Sequence, residues 1–471
     1  MIEQGLFIGG EWQQTASIRE TADKWSAEAL GVVAVASSAD VVRAVDAAAA
    51  AMRTSWPVAA RAAALGRCAI LLSERVEEFA QLITAEIGKP ITASRGEVNR
   101  AVETLRWSAE ESKRLPGERV PLDAVASGEG TYAFTVPVAK GVVAAITPFN
   151  FPLNLLLHKV GPALAAGCAV VLKPSDHAPL TAGATVRLLA EAGVPSGWIN
   201  LVTGPPIEVV GAVQADDRVA VVTFTGSARV GWSLKAQAPR KEHVLELGSN
   251  TAMVVAADAD IPRAAQAASE AAFAASGQAC VSLQRVYVAA EVAAEFSASL
   301  ARLAGALPTG DPRQDATVVG PLIATDARER LERWLSEAVA AGATILTGGT
   351  SEGDVLAPTV VSGVHPDSPL VCEEAFGPVV SILEVADLDA ALAAVNNSSF
   401  GLNTSIYTRD LATALRYAGE AEAGTVLVNM PPSYRADHMP YGGVKDSGQG
   451  LEGVRYAIAD LVREKLVVLH A

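Results

Sequence analysis

Apolar positions along the chain follow two different periods. Alanine-rich segments with apolar residues three or four positions apart predict amphipathic helices at 40–53, 58–86, 262–275, 291–306, 325–341 and 386–396. Short β-branched runs lie between them and predict buried strands, namely VVAAIT, AVVLK, VVTFTG, TAMVVAA, RVYVAA and TVLVN. Because strands alternate with helices, we expect an α/β protein with largely parallel sheets.

Two segments depart from this alternation. The stretch at 117–136, GERVPLDAVASGEGTYAFTV, predicts an irregular strand or hairpin, and VREKLVVLH near the C-terminus predicts another strand. Strands that stand apart from the main sheets offer open edges for pairing with a second subunit. We therefore expect 117–136 and 455–471 to be bridging or oligomerisation strands.

Length and charge exclude several classes of protein. A chain of 471 residues exceeds the size of a single core, so two or three domains are expected. A net charge of −15 opposes nucleic-acid binding. The start, MIEQGLFIGGEW, lacks the features of a signal peptide, and no apolar stretch reaches the ~18–20 residues of a membrane span. We expect a soluble cytoplasmic protein without a nucleic-acid or membrane partner.

Cysteine supplies the first candidate chemistry. The four cysteines are widely separated and form no CxxC or Cys/His cluster, so we expect neither a disulfide framework nor a metal site from Cys68, Cys168, Cys280 and Cys372. A free cysteine is ordinarily a small buried core residue. Cys280 differs because FAASGQACVSLQR surrounds it with small residues, which leave room for a substrate carbonyl and for backbone amides that face an oxyanion.

A cysteine nucleophile needs a base. The thiolate is the reactive form, and a free cysteine of pKa ~8.5 is only slightly ionised at neutral pH. Glu246 in LELGSN is the candidate base, so the thiol and this distant carboxylate form a nucleophile–base hypothesis.

Three further segments carry polar groups at predicted strand ends. In VVTFTGSARVG, a strand, a glycine turn at Gly226 and Ser227 and a helix start form an anion site suited to a pyrophosphate, although such turns also end strands that bind nothing. VVLKPSDHAP places Lys173 and Asp176 where ribose hydroxyls bind in open α/β sheets. Asn150 in ITPFNFPLNLLLHK offers an amide to an oxyanion; taken alone, it would be read as satisfying its own turn.

Seven motifs occur together in one order: PFNFP, LKPS, FTGS, LELG, GQ-x-C, EEAFGP and PYGG. This set resembles the NAD(P)-dependent aldehyde dehydrogenase superfamily over nearly the whole chain. The resemblance implies two Rossmann-like parallel-sheet domains plus a small β oligomerisation element. It assigns 1–116 and 137–246 to NAD(P) binding and 247–440 to catalysis, and it implies a homodimer or homotetramer joined through 117–136 and 455–471.

The resemblance also implies roles for individual residues. Cys280 resembles the nucleophile that forms a thiohemiacetal and then a thioester, and Asn150 with the Cys280 amide resembles the oxyanion site. Glu246 resembles the base for hydrolysis. Lys159 resembles a proton-relay or orienting lysine, where a solvated or salt-bridged lysine would otherwise be expected. The implied coenzyme contacts are Thr147, Pro148, Phe149, Lys173, Ser175, Asp176, Thr225, Gly226, Ser227, Leu247, Gly248, Glu374 and Phe376.

Two positions depart from the common family pattern. Ser249 follows Gly248 where a second glycine is usual, and a subset of the family shares this serine. Asp176 stands where NAD-preferring members often carry Glu. Because a carboxylate accepts ribose hydroxyls and repels a 2′-phosphate, we predict NAD over NADP. Asp is shorter than Glu, so the preference is expected to be loose and NADP stays an alternative coenzyme.

The substrate pocket implied by the resemblance is polar. Arg100, His158, Arg435 and Tyr441 are placed towards the aldehyde, and arginine suits carboxylate or sulfonate groups, although each arginine alone is more often a surface or salt-bridged residue. The branch resembled includes lactaldehyde, sulfolactaldehyde, succinate-semialdehyde and non-phosphorylating glyceraldehyde-3-phosphate dehydrogenases. Ala279 stands where phosphate-binding members tend to carry Arg. We therefore rank small hydroxylated or anionic aldehydes above phosphorylated ones.

Two other readings stay open. An acylating member would pass the thioester to coenzyme A, but such members often lack the water-activating Glu, so Glu246 favours hydrolysis. A catalytically silent homologue would serve as a binding or structural protein. The presence of Cys280, Glu246 and Asn150 together argues against it.

Overall fold

The computed structural model describes residues 1–470. The strands are β1 Ile2–Gln4, β2 Leu6–Ile8, β3 Glu11–Gln13, β4 Ile18–Ala22, β5 Ala29–Ala34, β6 Arg119–Val120, β7 Thr131–Ala139, β8 Val142–Ile146, β9 Val170–Lys173, β10 Ile199–Leu201, β11 Val219–Thr225, β12 Glu242–Glu246, β13 Ala252–Val255, β14 Arg285–Ala289, β15 Thr344–Thr347, β16 Ser351–Glu352, β17 Val355–Leu356, β18 Thr359–Ser362, β19 Val379–Val385, β20 Phe400–Gly401, β21 Asn403–Tyr407, β22 Thr425–Val428, β23 Val444–Lys445, β24 Gly448–Gln449 and β25 Val462–His470. The helices are α1 Ser38–Ala51, α2 Val58–Ser73, α3 Val76–Ile87, α4 Ile91–Glu111, α5 Asn154–Ala166, α6 Pro179–Glu191, α7 Pro206–Ala215, α8 Ala228–Gln237, α9 Ile261–Phe273, α10 Ala293–Gly305, α11 Thr325–Ala340, α12 Pro369–Cys372, α13 Leu388–Asn396, α14 Leu411–Glu420 and α15 Val454–Leu461.

Local sequence explains where several helices begin and end. Ser37 and Asp40 form a capping box at the start of α1, and Asp260 accepts a hydrogen bond from the Arg263 amide at the start of α9. Gly167 ends α5 in the left-handed conformation. The segment 58–86, predicted as one helix, is two helices, and each packs against α4. Within residues 1–470, no helix is long and apolar enough to cross a membrane.

The first sheet has the strand order β24-β12-β11-β8-β9-β10-β2-β3. Its five central strands, β12 to β10, are parallel, whereas β24, β2 and β3 are antiparallel edge strands. The chain runs outwards from β8 to β10 and then returns to place β11 on the other side of β8. Such a reversal of strand order opens a crevice at the carboxyl ends of the strands.

The second sheet has the order β15-β18-β19-β14-β13-β21-β22. All of its strands are parallel except the edge strand β15. Helices α9 and α10 pack on this sheet and share with it an apolar core separate from that of the first sheet. The predicted α/β class, with two parallel-sheet units and a small β element, is confirmed.

The small β element consists of β6, β7 and β25. Strands β7 and β25 pair antiparallel along nine residues each. Five large apolar side chains of this sheet are exposed to solvent among residues 1–470, those of Tyr132, Val136, Leu466, Val468 and Leu469. The segment 455–461, assigned from sequence to the bridging strand, is instead helix α15. It is helical because Val454, Ile458 and Leu461 share one helix face and bury it against the first core.

Candidate active site

A cleft of about 800 Å³ lies at the carboxyl ends of the first sheet. Four loops form it, and they follow β8, β9, β11 and β12, while Cys280, Glu374 and Phe376 reach it from segments of the second sheet. All thirteen residues predicted to contact a coenzyme line this cleft, together with Asn150, Glu246 and Cys280. The topology therefore brings residues that are far apart in the sequence into one crevice.

The outer part of the cleft is an apolar slot between α7 and α8. Ile207, Val210, Val230 and Leu234 line it, and Ile207 is 92% exposed. A flat aromatic base fits such a slot. Helix α8 begins directly after Ser227, whose side chain makes no capping hydrogen bond, so the positive end of the helix dipole faces the cleft and suits a phosphate group.

The inner part of the cleft also shows signs of a binding surface. Thr225 Oγ1 is buried without a hydrogen-bond partner among residues 1–470, and buried hydroxyls normally have one. Glu374 accepts a hydrogen bond from the Ser249 amide at 2.9 Å, and burial raises its pKa to about 7. A Cβ on Gly248 would lie 2.6 Å from Glu374 Oε2, so only glycine allows this approach. The residues present fit a dinucleotide.

Asp176 is held by two cations at the edge of the cleft. Lys173 Nζ lies 2.8 Å from Asp176 Oδ1, and the Arg19 guanidinium lies 3.3 Å from Asp176 Oδ2. Arg19 also donates to the Asp176 carbonyl at 2.8 Å. Arg19 belongs to β4, far upstream in the chain, so its approach to Asp176 did not follow from the sequence.

Cys280 lies in a loop with an unusual backbone. After α9, Ala275, Ser276 and Gly277 all adopt left-handed conformations, with φ of 50°, 59° and 69°. The Ser276 hydroxyl donates to the Gly320 carbonyl and accepts from the Gly320 amide at 3.1 and 2.9 Å. A Cβ on Gly277 would collide with the Gly377 carbonyl. This sharp turn carries the chain back from α9 so that Cys280 reaches the cleft floor.

The Cys280 thiol is desolvated, but polar and charged groups lie near it. Burial raises its pKa to about 11, against the opposing effects of the Tyr441 hydroxyl and the Arg435 charge. Tyr441 Oη lies 3.2 Å from Cys280 Sγ. The pKa of Glu246 is also raised well above its ordinary value, first by burial and then by the charge of Glu452. A carboxylate with a raised pKa is a stronger base than an exposed one.

Asn150 is held through both its side chain and its main chain. Its Nδ2 donates to the Gln278 carbonyl at 2.9 Å, two residues before Cys280, and its own carbonyl accepts from Lys89 Nζ at 3.0 Å. Lys89 in turn pairs with buried Glu97 at 2.6 Å. Because an amide nitrogen has two N–H groups, one N–H of Asn150 holds the cysteine loop and the other stays available for an oxyanion.

Asp437 is hydrogen-bonded to two residues of the predicted substrate pocket, Arg100 and His158. It accepts two hydrogen bonds from Arg100, at 3.1 and 2.7 Å, one from Asn154 at 3.0 Å and one from His158 Nε2 at 2.9 Å. Burial alone would raise the pKa of Asp437, but the bonds from His158 and Arg100 hold it far below the ordinary value. Arg100, at 34% side-chain exposure, is the accessible member of the group.

Glu452 is the counter-charge of two further buried cations. It pairs with Lys159 at 3.0 Å and with Arg435 at 2.9 Å. Burial opposes its ionisation, yet the charges of Lys159 and Arg435 lower its pKa to about 2. Lys159 also donates to Thr223 Oγ1 at 3.2 Å. Lys159 and Arg435 are therefore buried residues in salt bridges with Glu452. Their roles in proton relay and substrate binding stay predictions.

Sequence reasoning missed Asp437, Glu452, Arg19, Lys89 and Glu97. A signal for the first two was available, because buried cations require nearby counter-charges. Asp437 lies within SYRADHMPYGG, and Glu452 follows shortly in GLEG. Both acids are therefore close to Arg435 in sequence, and Glu452 pairs with it, whereas the ion-pair partner of Asp437 is the distant Arg100. Arg19 and the Lys89–Glu97 pair have no such local signal, since their partners are distant in sequence.

Two parallel sheets and a nucleotide-sized cleft at the carboxyl ends of the first sheet are typical of an α/β enzyme that binds a dinucleotide. The aldehyde dehydrogenase family model matches residues 12–467, and the chain belongs to that family. It is similar to a 3-sulfolactaldehyde dehydrogenase of Priestia aryabhattai, with 42% identity over 99% of this chain and 98% of the relative. A lactaldehyde dehydrogenase of Methanococcus vannielii is 39% identical over 85% of each chain.

A solved structure extends the comparison to the whole fold. The NADP-dependent glyceraldehyde-3-phosphate dehydrogenase of Bacillus halodurans, complexed with NADP, superimposes with a TM-score of 0.97 at 33% identity, covering 100% of both chains. Our chain is accordingly an aldehyde dehydrogenase, an oxidoreductase that acts on aldehydes.

Proposed function

We propose that the enzyme oxidises a small hydroxylated or anionic aldehyde to its carboxylic acid, with NAD or NADP bound in the cleft. A nicotinamide held there supplies the hydride acceptor. The best-supported substrate class is a short hydroxyaldehyde bearing a sulfonate, represented by sulfolactaldehyde. Lactaldehyde and succinate semialdehyde are the next candidates.

In the proposed mechanism, one residue forms the bond to the substrate and another transfers the proton. The Cys280 thiolate attacks the aldehyde carbon to form a thiohemiacetal. Its oxyanion is stabilised by Asn150 Nδ2 and by the Cys280 amide. Oxidation leaves a thioester on Cys280, and Glu246 takes a proton from the water that hydrolyses it. Lys159 holds Glu452 in place beside Glu246.

The observation that carries the substrate proposal is a pair of buried, unpartnered polar atoms next to Tyr441 and Asp437. Arg435 Nε, a donor, and His158 Nδ1 have no hydrogen-bond partner in the described part of the chain. Because burial lowers the pKa of His158, its ring is neutral, and Nε2 must carry the proton that Asp437 accepts. Nδ1 is then an acceptor. One atom suits an anion and the other suits a hydroxyl group.

The exposure of Arg100 supports the same substrate class. Arg100 gives two hydrogen bonds to Asp437 and keeps a side-chain exposure of 34%, so its guanidinium can also donate to a sulfonate or carboxylate. The similarity to the Priestia enzyme and the lack of an arginine at Ala279 agree with this choice.

A panel of aldehydes tests the proposal. We expect kcat/KM to fall in the order sulfolactaldehyde, then lactaldehyde or succinate semialdehyde, then propanal and glyceraldehyde-3-phosphate, measured as reduced coenzyme formed with and without coenzyme A. The highest value for propanal or for the phosphorylated aldehyde would contradict the proposed substrate class. Turnover that depends on coenzyme A would favour the acylating alternative.

Arg100 provides a sharper test of anion recognition. Replacing Arg100 by Ala is expected to raise KM for sulfolactaldehyde by about 10- to 100-fold, the range for a lost hydrogen bond to a charged group, and to change KM for propanal little. Arg106→Ala is the matched control, because Arg106 lies on the same helix α4 and pairs with exposed Glu103. Equal effects of Arg100→Ala on both aldehydes would remove the anion-pocket hypothesis. Arg435 is less suitable because it also holds Tyr441.

The contacts of Asp176 bear on coenzyme choice. Arg19 and Lys173 compensate its charge, so the repulsion of a 2′-phosphate is weakened, and the predicted preference for NAD is expected to be loose. Arg19→Gln should raise Kd for NADPH about 3- to 10-fold, as for a partly exposed charge contact, and leave Kd for NADH nearly unchanged. Fluorescence titration measures both constants, with Arg43→Gln as the control on a remote exposed arginine. An unchanged ratio of the two Kd values would contradict the role of Arg19.

The exposed apolar side chains on β7 and β25 support a proposal of self-association. Strand β25 leaves one edge of its sheet open to solvent in the single chain, and such edges pair with another chain unless they are protected. A homodimer or homotetramer that buries Leu466, Val468 and Leu469 follows.

A further inference from the structure

We propose that Tyr441 is a catalytic residue whose hydroxyl donates a hydrogen bond to the Cys280 thiolate, both before attack on the aldehyde and when the thiolate leaves the thioester. This role rests on the proposed function of Cys280 as the nucleophile. The position had been predicted only as part of the substrate pocket. Its contact is instead with the reacting sulfur.

The position of the Tyr441 hydroxyl is fixed by its surroundings. Tyr441 is 2% exposed, and its Oη lies 3.2 Å from Cys280 Sγ. Its backbone forms a two-way bridge with Glu452, in which each amide donates to the other carbonyl, at 3.0 and 2.6 Å. The phenol therefore has little freedom to point elsewhere.

Arg435 strengthens the arrangement as a positioning residue. Its guanidinium carbon lies 3.8 Å from the centroid of the Tyr441 ring, and Glu452 anchors it from the other side at 2.9 Å. A cation against the ring face is attracted to the ring. Tyr441, Arg435 and Glu452 thus form one buried unit, with the tyrosine hydroxyl as its point of contact with sulfur.

The chemistry requires such a donor. Burial raises the pKa of Cys280 to about 11, and the Tyr441 hydrogen bond is the largest influence that lowers it. Burial also raises the pKa of Tyr441 well above its ordinary value, so the phenol keeps its proton and can only donate to a thiolate. The proton lost by the thiol must therefore go to another acceptor, and Cys280 lines the cleft, where solvent water can take it.

The same contact serves both halves of the reaction. During attack, the sulfur electron pair forms the C–S bond and the carbonyl π pair moves to the oxygen near Asn150. During hydrolysis, water forms a C–O bond and gives a proton to Glu246, and the C–S bond breaks with its electron pair returning to sulfur. Tyr441 donates to the sulfur at the start of the first step and at the end of the second, and its own proton is never transferred.

Thiol alkylation tests the role without substrate or coenzyme. The rate of Cys280 modification by iodoacetamide is followed against pH by peptide mass spectrometry in the full-length enzyme. In Tyr441→Phe, which keeps the ring under Arg435, the midpoint pH for Cys280 should rise by about 1 to 2 units, as expected for a lost hydrogen bond to a charged group. The exposed thiol of Cys372 in the same samples is an internal reference whose midpoint should not move.

Tyr417→Phe is the matched control, because Tyr417 is also fully buried and its hydroxyl bonds to Thr404, away from the cleft. An unchanged or lowered Cys280 midpoint in Tyr441→Phe, or an equal rise in Tyr417→Phe, would overturn the proposal. If Tyr441→Phe fails to fold by circular dichroism, replacement of Tyr441 by a ring-fluorinated tyrosine decides instead. Its more acidic hydroxyl donates more strongly, so the midpoint should fall, and no fall would refute the role. Failure of the aldehyde panel would leave these midpoints unaffected, so the two proposals are tested separately.

Discussion

Replacing Cys280 by Ala is expected to abolish aldehyde oxidation, lowering kcat by about 10³- to 10⁶-fold, the scale seen when a catalytic nucleophile is removed. The reason is geometric as well as chemical. Cys280 lines the cleft, where it follows the sharp turn at 275–277. Steady-state formation of reduced coenzyme measures the loss.

The same experiment separates chemistry from binding. Cys280→Ala should bind NADH with nearly the Kd of the original enzyme, since the coenzyme contacts lie along the other loops of the cleft. Cys372→Ser is the control for removal of a thiol, because Cys372 is exposed and its thiol donates to the Pro366 carbonyl, outside the cleft. Oxidation by Cys280→Ala at more than about a hundredth of the original rate would contradict a covalent mechanism.

Replacing Glu246 by Gln should block the second half of the reaction and spare the first. We expect steady-state turnover to fall by about 10²- to 10⁴-fold, the usual contribution of a general base. One equivalent of reduced coenzyme per active site should still form in a rapid burst. The acyl group should remain on Cys280, where intact-protein mass spectrometry detects it.

The burial of Glu246 determines the direction in which turnover should change with pH. Because the pKa of Glu246 is raised, the carboxyl is protonated below that pKa and cannot accept a proton from water. Turnover of the original enzyme should therefore increase as the pH rises through the pKa of Glu246, and this increase should be absent in Glu246→Gln. Glu242→Gln is the matched control, since Glu242 lies on the same strand β12, is exposed and pairs with Lys140. Loss of the burst in Glu246→Gln, with folding intact, would show that Glu246 is needed before thioester formation.

Much of the fold and the cleft could be predicted from the sequence, because the information is local. Each glycine turn or Lys-Pro segment follows its own strand, and parallel strands place their carboxyl ends together. Gly226, Lys173 and Glu246 therefore converge without any knowledge of the strand order. The helix at 454–461 was missed because its apolar face is short. This face packs on α5, and that contact is not visible in the local sequence.

The network around the predicted substrate pocket could not be derived from the sequence in the same way. Arg100, His158 and Arg435 were recognised as polar, but their charge state depends on Asp437 and Glu452. The pairings of Asp437 with Arg100 and His158 join residues that are hundreds of positions apart. The contact between Arg19 and Asp176 is equally non-local. Sequence patterns indicate which residues are chemically capable, whereas the net charge of a pocket is decided by partners that only the tertiary fold brings together.

The pairing of β24 with β12 determines which active-site groups would move together if the two sheets changed their separation. Glu452 follows β24 closely, and β24 pairs with Leu245 and Glu246 of β12, so the base and the acid that tunes it travel as one rigid unit. Cys280 is carried by the opposite sheet. Opening or closing the crevice would change the distance from Glu246 to the acyl sulfur on Cys280. The pKa of Glu246 would stay the same, because Glu452 would move with it.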